Sequence, residues 1–133
     1  MKLTNRELLD ASQAIRGLVD MLLKLGMMRS ATRYGLTARY LEPYGEEIVA
    51  ARNALIKKHA GDKDRVEPGT QEYDAFKKDM GEYLACEVDV DIGKIVVPNN
   101  IWQEMSRPSD IYISLLPILD LDESESANGQ AEI

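Results

Sequence analysis

The chain has 133 residues, of which 44% are hydrophobic and 29% are charged, and its formal net charge is −7. This length and composition indicate one globular domain, and no apolar run approaches the roughly 18 residues that a membrane span requires. The negative charge disfavours nucleic acid as a partner, because phosphate backbones are bound mainly through lysine and arginine.

The cellular compartment is indicated by two simple features. The N-terminal segment lacks the apolar core of a signal peptide. A single cysteine, Cys86, excludes an internal disulfide. Both features favour a protein of the reducing cytoplasm.

The N-terminal segment predicts an amphipathic helix. Thr4 and Glu7 form the T-x-x-E pattern of a capping box, and Gly26 stands where a left-handed C-cap is expected. Between these signals, apolar residues recur at spacings of three and four and form a single stripe. The stripe consists of Leu8, Ala11, Ile15, Leu18, Leu22 and Leu25.

A second helical segment follows over residues 27–61. Its larger apolar residues are spaced seven apart, at Tyr34, Leu41, Ile48 and Leu55. The small residues Ala38 and Gly45 would let another helix approach closely. Pro43 predicts a kink or a brief interruption. Because the connection from the first segment is short, we expect the two segments to fold back as an antiparallel hairpin.

A third helix and a β element are predicted after a polar loop. Thr70 can cap the third helix, which is expected to cover the open side of the hairpin. Its apolar face consists of Tyr73, Phe76, Met80, Tyr83 and Leu84. The alternating stretch 87–92 predicts a short strand. Two pairings are open, either a β-hairpin that turns at Gly93 and Lys94 or pairing with Val66.

Together these elements predict a mainly helical α+β fold in one domain, residues 1–119. It comprises a long antiparallel helical hairpin, a third helix and a short β element, with a short helix near the end. Residues 120–133 are acidic, small and polar, and we expect this tail to be disordered. Charge is split, since residues 1–60 carry 10 Lys and Arg against 6 Asp and Glu, whereas residues 61–133 carry 6 against 17.

The acidic stretch "EVDVDI" places Glu87, Asp89 and Asp91 at every second position, as in a calcium-binding loop. Counted from Glu87, however, the sixth position is Ile92 rather than glycine, and the twelfth is Pro98 rather than a bidentate glutamate. We therefore interpret the three acids as the solvated face of a strand, and predict neither a metal nor another cofactor.

Catalytic machinery is not indicated by the sequence. His59 is the only histidine, and its position near a predicted helix C-terminus suits the helix dipole. One histidine and one cysteine do not supply a classical triad or a histidine-rich metal site. We therefore expect a protein that is not an enzyme and has no catalytic residues.

A candidate partner surface lies in the first half of the second helix. Arg29, Arg33 and Arg39 are interleaved there with Tyr34 and Tyr40. Arginine beside tyrosine is typical of protein recognition surfaces. The alternative is that the arginines lie over the core with their charged ends in water.

Several segments resemble small proteins that are encoded in tailed bacteriophages and prophages and form a family of unknown function. The similar segments are "MKLTNRELL", "ARNALIKKHAG", "VEPGTQEYDAFKKDMGEYL", "EVDVDI" and "PSDIYISLLPIL". The resemblance spans residues 1–119. It implies a helical hairpin followed by a small α+β remainder, and it supplies no catalytic residues.

The favoured hypothesis is a phage- or prophage-derived protein without enzymatic activity that binds protein partners in virion or tail assembly. Its expected partners are phage proteins or further copies of itself in a homo-oligomer, with no membrane, and its expected location is the host cytoplasm or the virion. The alternative is an acidic inhibitor of a host nucleic-acid enzyme, motivated by the acidic second half. A metal-dependent enzyme that uses the three strand acids is the weakest hypothesis.

Overall fold

The computed structural model describes residues 1–106 and 108–120. Within them the elements are β1 Lys2–Thr4, α1 Asn5–Lys24, α2 Met28–Ala60, α3 Gln71–Ala85, β2 Glu87–Asp89, α4 Asn99–Glu104, α5 Ser109–Leu115 and a 3₁₀ turn Leu116–Ile118. The predicted mainly helical α+β class is confirmed. Of the tail predicted to be disordered, only Asp120 is described, and the rest lies outside the described residues.

Helix α1 begins and ends where its sequence signals predict. The backbone amide of Glu7 donates to Oγ1 of Thr4 over 3.1 Å, and the amide of Thr4 donates to Oε1 of Glu7 over 2.9 Å. At the other end Gly26 has a φ of 76°, a conformation that glycine adopts without steric cost. The capping box and the glycine therefore set the length of the helix.

Helices α1 and α2 form an antiparallel hairpin that approaches closely at one glycine. Arg16 of α1 lies opposite Glu42, and Ser12 lies opposite Gly45 further along α2. A Cβ atom placed on Gly45 would lie 2.6 Å from Oγ of Ser12. The backbones can meet at this distance only because Gly45 has no side chain, as the small residue predicted.

Helix α2 continues without a break through Pro43, over 33 residues. Of the two alternatives predicted at Pro43, a kink or an interruption, the interruption does not occur. Pro43 is exposed, so its ring faces away from α1 and displaces no packed side chain. On the opposite side of the helix, the buried residues Leu41 and Ile48 pack into the core and hold the two halves of α2 together.

The remaining core is built by the C-terminal elements. Helix α5 packs on α1, where Cδ1 of Ile111 would lie 3.2 Å from a Cβ on Gly17. Trp102 of α4 is buried and meets Tyr112 edge to face, with ring centroids 5.3 Å apart. The segment between β2 and α4 is bound to α2, because the hydroxyl of Tyr34 donates to the Val96 carbonyl over 2.7 Å.

The third helix covers less of the hairpin than the sequence predicted. Helix α3 has no fully buried residue, and it contacts the second half of α2 and the start of α1. The open side of the hairpin is instead closed largely by α5 and the buried residues Val97 and Ile101. This arrangement follows from the greater length of α2, whose C-terminal part extends past the start of α1. Helix α3 packs along that projecting part.

The β element forms neither of the two predicted pairings. Strand β2 pairs antiparallel with β1, in the register Lys2↔Asp89, Leu3↔Val88 and Thr4↔Glu87. Residues 2–4 are too few to show the alternation that identifies a strand, so the sequence pattern did not reveal this partner.

Replacing two glycines of α2 by alanine tests the close helix approach. Helix propensity alone should raise the free energy of unfolding by up to about 1 kcal/mol in each variant. A Cβ on Gly35 meets nothing within 4 Å, whereas a Cβ on Gly45 meets Ser12. We expect Gly45→Ala to be less stable than Gly35→Ala by about 1–3 kcal/mol in urea unfolding. Adding Ser12→Ala to Gly45→Ala should recover part of this difference. Equal stabilities of Gly45→Ala and Gly35→Ala would contradict the close packing at Gly45.

Candidate functional site

Four of the five residues of the candidate partner surface on α2 have exposed side chains. Arg29, Arg33, Arg39 and Tyr40 are exposed. Tyr34 is only 1% exposed, because its ring packs in the core. Tyr34 therefore does not belong to the surface, and its periodic spacing with other core residues was the signal for burial.

Leu36 belongs to this surface and was not named from the sequence. Its side chain is 60% exposed, although leucine is usually buried. Tyr40, 37% exposed, lies one helical turn further along. A step of four residues places the two side chains next to each other on the helix, so they form an apolar patch.

The patch is the centre of a longer row of exposed side chains. Steps of four, three, four, three and four residues place the whole row on one side of α2. We call this row the outer seam of α2. It consists of Arg29, Arg33, Leu36, Tyr40, Pro43 and Glu47, all of them exposed.

The two ends of the outer seam carry opposite charge. Arg29 and Arg33 stand in the first two turns of α2, and the first turn contains no acidic residue. Cations at a helix N-terminus oppose the helix dipole and reduce helix stability. Glu47 stands at the other end. Arg29, in the first turn, is therefore placed against the preference of the helix dipole.

The acidic end of the seam is continued by the segment after β2. The backbone amide of Asp91 donates to the Tyr40 hydroxyl over 3.0 Å. The pKa of Tyr44 is raised, mainly by a hydrogen bond with Tyr40, with burial next and with smaller contributions from the charges of Asp91 and Glu47. Both carboxylates thus act on the same part of α2.

Of the three acids predicted to lie on one face of a strand, Glu87 and Asp89 are on β2, whereas Asp91 follows its end. Glu87, Asp89 and Asp91 are all exposed. Across residues 1–106 and 108–120, no group of three or more His, Cys, Asp or Glu side chains could hold a metal ion.

His59 has a partner that the sequence did not reveal. Its Nε2 lies 2.7 Å from Oδ2 of Asp79 on α3, and the histidine side chain is 13% exposed. Nζ of Lys58 lies 3.4 Å from the same oxygen. The histidine hydrogen bond is the main cause that lowers the pKa of Asp79, Lys58 adds to it, and burial opposes it. The pair fastens α3 to the projecting end of α2.

A groove of about 500 Å³ runs between α1 and α2. Leu9 and Val49 supply apolar walls, and the ion pair of Arg16 and Glu42, 3.4 Å long, lies across it. A smaller pocket of about 300 Å³ lies at the end of α2, beside His59 and the following loop.

Comparisons with known proteins find no family model, curated protein or solved structure that matches the chain significantly. None of the helices in the described part is both long enough and apolar enough to cross a membrane.

The pair of His59 and Asp79 predicts a pH-dependent contribution to stability. A carboxyl group whose pKa is lowered by folding stabilises the fold at pH above its ordinary pKa of 3.8, and this contribution is lost as pH falls through the lowered pKa. The stability advantage of the wild type over Asp79→Asn should therefore hold at neutral pH and shrink below about pH 4. Denaturant unfolding at a series of pH values measures it. Asp74→Asn controls for the loss of one negative charge from α3, and an unchanged difference at low pH would contradict the pairing.

Added divalent cations test whether Glu87, Asp89 and Asp91 are solvated or bind a metal ion. A specific site would raise the melting temperature, because a ligand that binds only the native state stabilises it. We expect Mg²⁺, Mn²⁺ and Ca²⁺ each to change the melting temperature of the wild type no more than they change that of the triple variant Glu87→Gln/Asp89→Asn/Asp91→Asn. A rise in the wild type alone would establish a metal site there.

Proposed function

We propose that this protein is a phage- or prophage-derived protein without enzymatic activity, which acts by binding protein partners in virion or tail assembly. The observation that carries the proposal is the outer seam of α2, where Leu36 and Tyr40 are exposed between arginines and an acid. The expected location is the host cytoplasm or the assembled particle.

The composition of the seam supports a protein partner. Interfaces are enriched in tyrosine and arginine, and exposed apolar side chains at the centre of a polar rim typically supply most of the binding energy. Leu36 and Tyr40 form such a centre, and Arg33 and Glu47 form the rim on either side. The backbone that presents them is a continuous helix packed on α1, so binding requires little ordering of the chain.

The resemblance of the sequence to small tailed-phage proteins supports the assembly role. In this proposal the protein acts by contact with other virion or tail components, and the outer seam of α2 is the surface that makes the contact.

Replacing Leu36 by aspartate tests the proposal in a phage that encodes the protein. Leu36→Asp places a charge at the apolar centre and should weaken binding to the cognate virion or tail protein about 30-fold or more. Binding to each purified structural protein is measured by calorimetry, and particle yield by electron microscopy. Ile113→Asp is the matched control, because Ile113 on α5 is 62% exposed and lies off the seam.

Deletion of the gene completes this test. The proposal requires that deletion reduces the yield of intact particles and that Ile113→Asp restores the yield when supplied in its place. Normal particles after deletion would overturn the proposal, whether or not a structural protein binds the chain in solution.

A further inference from the structure

We propose that the outer seam of α2 binds the same seam of a second copy of this chain, with the two helices antiparallel about a two-fold axis. The inference rests on the proposed function, because it names the partner of the surface on which that function depends. The spacing of the seam residues and the order of their charges both favour this pairing.

The spacing of the seam is that of a two-stranded coiled coil. Alternating steps of three and four residues give the a and d positions of a heptad, which face a partner helix. In an antiparallel pair each a position lies beside a d position of the other helix. In any one antiparallel register, the residue numbers of the two partners in each contact add to the same total. We set the register by placing Leu36 against Tyr40 of the second copy.

The same register pairs the rest of the seam. Arg33 lies against Pro43 of the second copy, and Arg29 lies against Glu47 of the second copy. Both contacts have the same sum of residue numbers as Leu36 with Tyr40, so no shift of register is needed. Two-fold symmetry repeats every contact, which gives an apolar centre and an ion pair at each end.

Charge order selects the antiparallel arrangement. In a parallel pair Arg29 would face Arg29 of the other copy and Glu47 would face Glu47, and like charges at such positions are destabilising. The antiparallel pair brings the cationic end of each seam to the acidic end of the other, where Asp91 adds to the negative charge. The carboxylate of Glu47 from the second copy also gives Arg29 a favourable environment, which the N-terminus of its own helix does not provide.

The size of the seam predicts a dimer that depends on concentration. From Arg29 to Glu47 the helix rises about 27 Å, and a helix is about 10 Å wide. This strip is smaller than the roughly 800 Å² per partner of a standard stable interface. We therefore expect reversible association, with monomer dominating when the protein is dilute.

Analytical ultracentrifugation of the full chain across about three decades of concentration tests the association. We expect the mass to rise from monomer to dimer, and Leu36→Asp to weaken the dimer at least tenfold. Ile113→Asp, with an equally exposed apolar residue on α5, should leave the dimer unchanged. Reducing conditions exclude a disulfide between two exposed Cys86 residues.

A charge swap tests the register itself. Arg29→Glu and Glu47→Arg should each weaken the dimer on the order of tenfold, because each places like charges at both ends. The double variant should recover the affinity of the wild type, and an equal mixture of the two single variants should form a heterodimer. Within one chain the two residues are about 27 Å apart, beyond the roughly 8 Å screening length of physiological salt, so rescue requires a second copy.

Folding is not at risk in these variants. Arg29→Glu places an acid in the first turn of α2, which favours the helix dipole. Arg6→Glu, an exposed change on α1, is the matched charge reversal outside the seam and should leave the dimer unchanged. Circular dichroism of each variant confirms that the helices are intact.

Each outcome decides the inference. A chain that stays monomeric, or a dimer that the charge swap does not affect, overturns it. If the chain is monomeric but Leu36→Asp abolishes binding to a virion or tail protein, the proposed function stands and the seam binds that protein instead of a second copy. If the dimer forms by the predicted register but deletion leaves particles normal, the inference stands and the proposed function fails. If a monomeric chain binds an oligonucleotide through the outer seam, the arginines bind nucleic acid and the inference is overturned.

Discussion

The contact of α1 with α2 at Ser12 and Gly45 is the constraint on which the rest of the structure depends. Because Gly45 has no side chain, the two backbones approach closely enough for the apolar stripe of α1 to meet the small residues of α2. This fixes which side of α2 faces inward. The opposite side, with Leu36 and Tyr40, is thereby turned outward, so the choice of a core-facing side also determines the exposed seam.

The second constraint is the unequal length of the two helices. Helix α1 has 20 residues and α2 has 33, so the last turns of α2 have no partner in α1. Helix α3 packs there through partly buried apolar side chains and through polar contacts. His59 binds Asp79, and the side-chain amide of Asn5 donates to the Tyr83 carbonyl over 2.8 Å. Since α3 buries no residue fully, it is expected to open more easily than the α1–α2 core.

Local signals in the sequence predicted the helical part of the fold well. Thr4, Glu7 and Gly26 act through neighbours in the chain, so their positions alone predict the ends of α1. Gly45 indicated the close approach of another helix because it has no side chain, although the sequence did not identify Ser12 as the contact. The pairing of β1 with β2 was not predicted, because it joins residues 2–4 to residues 87–89 and such distant partners leave no periodic pattern.

The surface was predicted less well than the fold, for a physical reason. Tyr34 and Tyr40 both lie beside arginines in the sequence, and only the packing of α2 on the core distinguishes the buried tyrosine from the exposed one. Leu36 was not assigned to the core or to the surface from the sequence, and only the packing of α2 shows that it faces outward. The partner of His59 depends on how α3 docks, which the local sequence does not determine.

The single cysteine has a practical consequence. Cys86 is exposed at the junction of α3 and β2, where its carbonyl accepts the backbone amide of Asn5 over 2.9 Å. A thiol-reactive fluorophore would therefore attach at one defined position of the natural chain, without engineered residues. Its emission would report when this junction loosens, and so would separate detachment of the third helix from melting of the whole molecule.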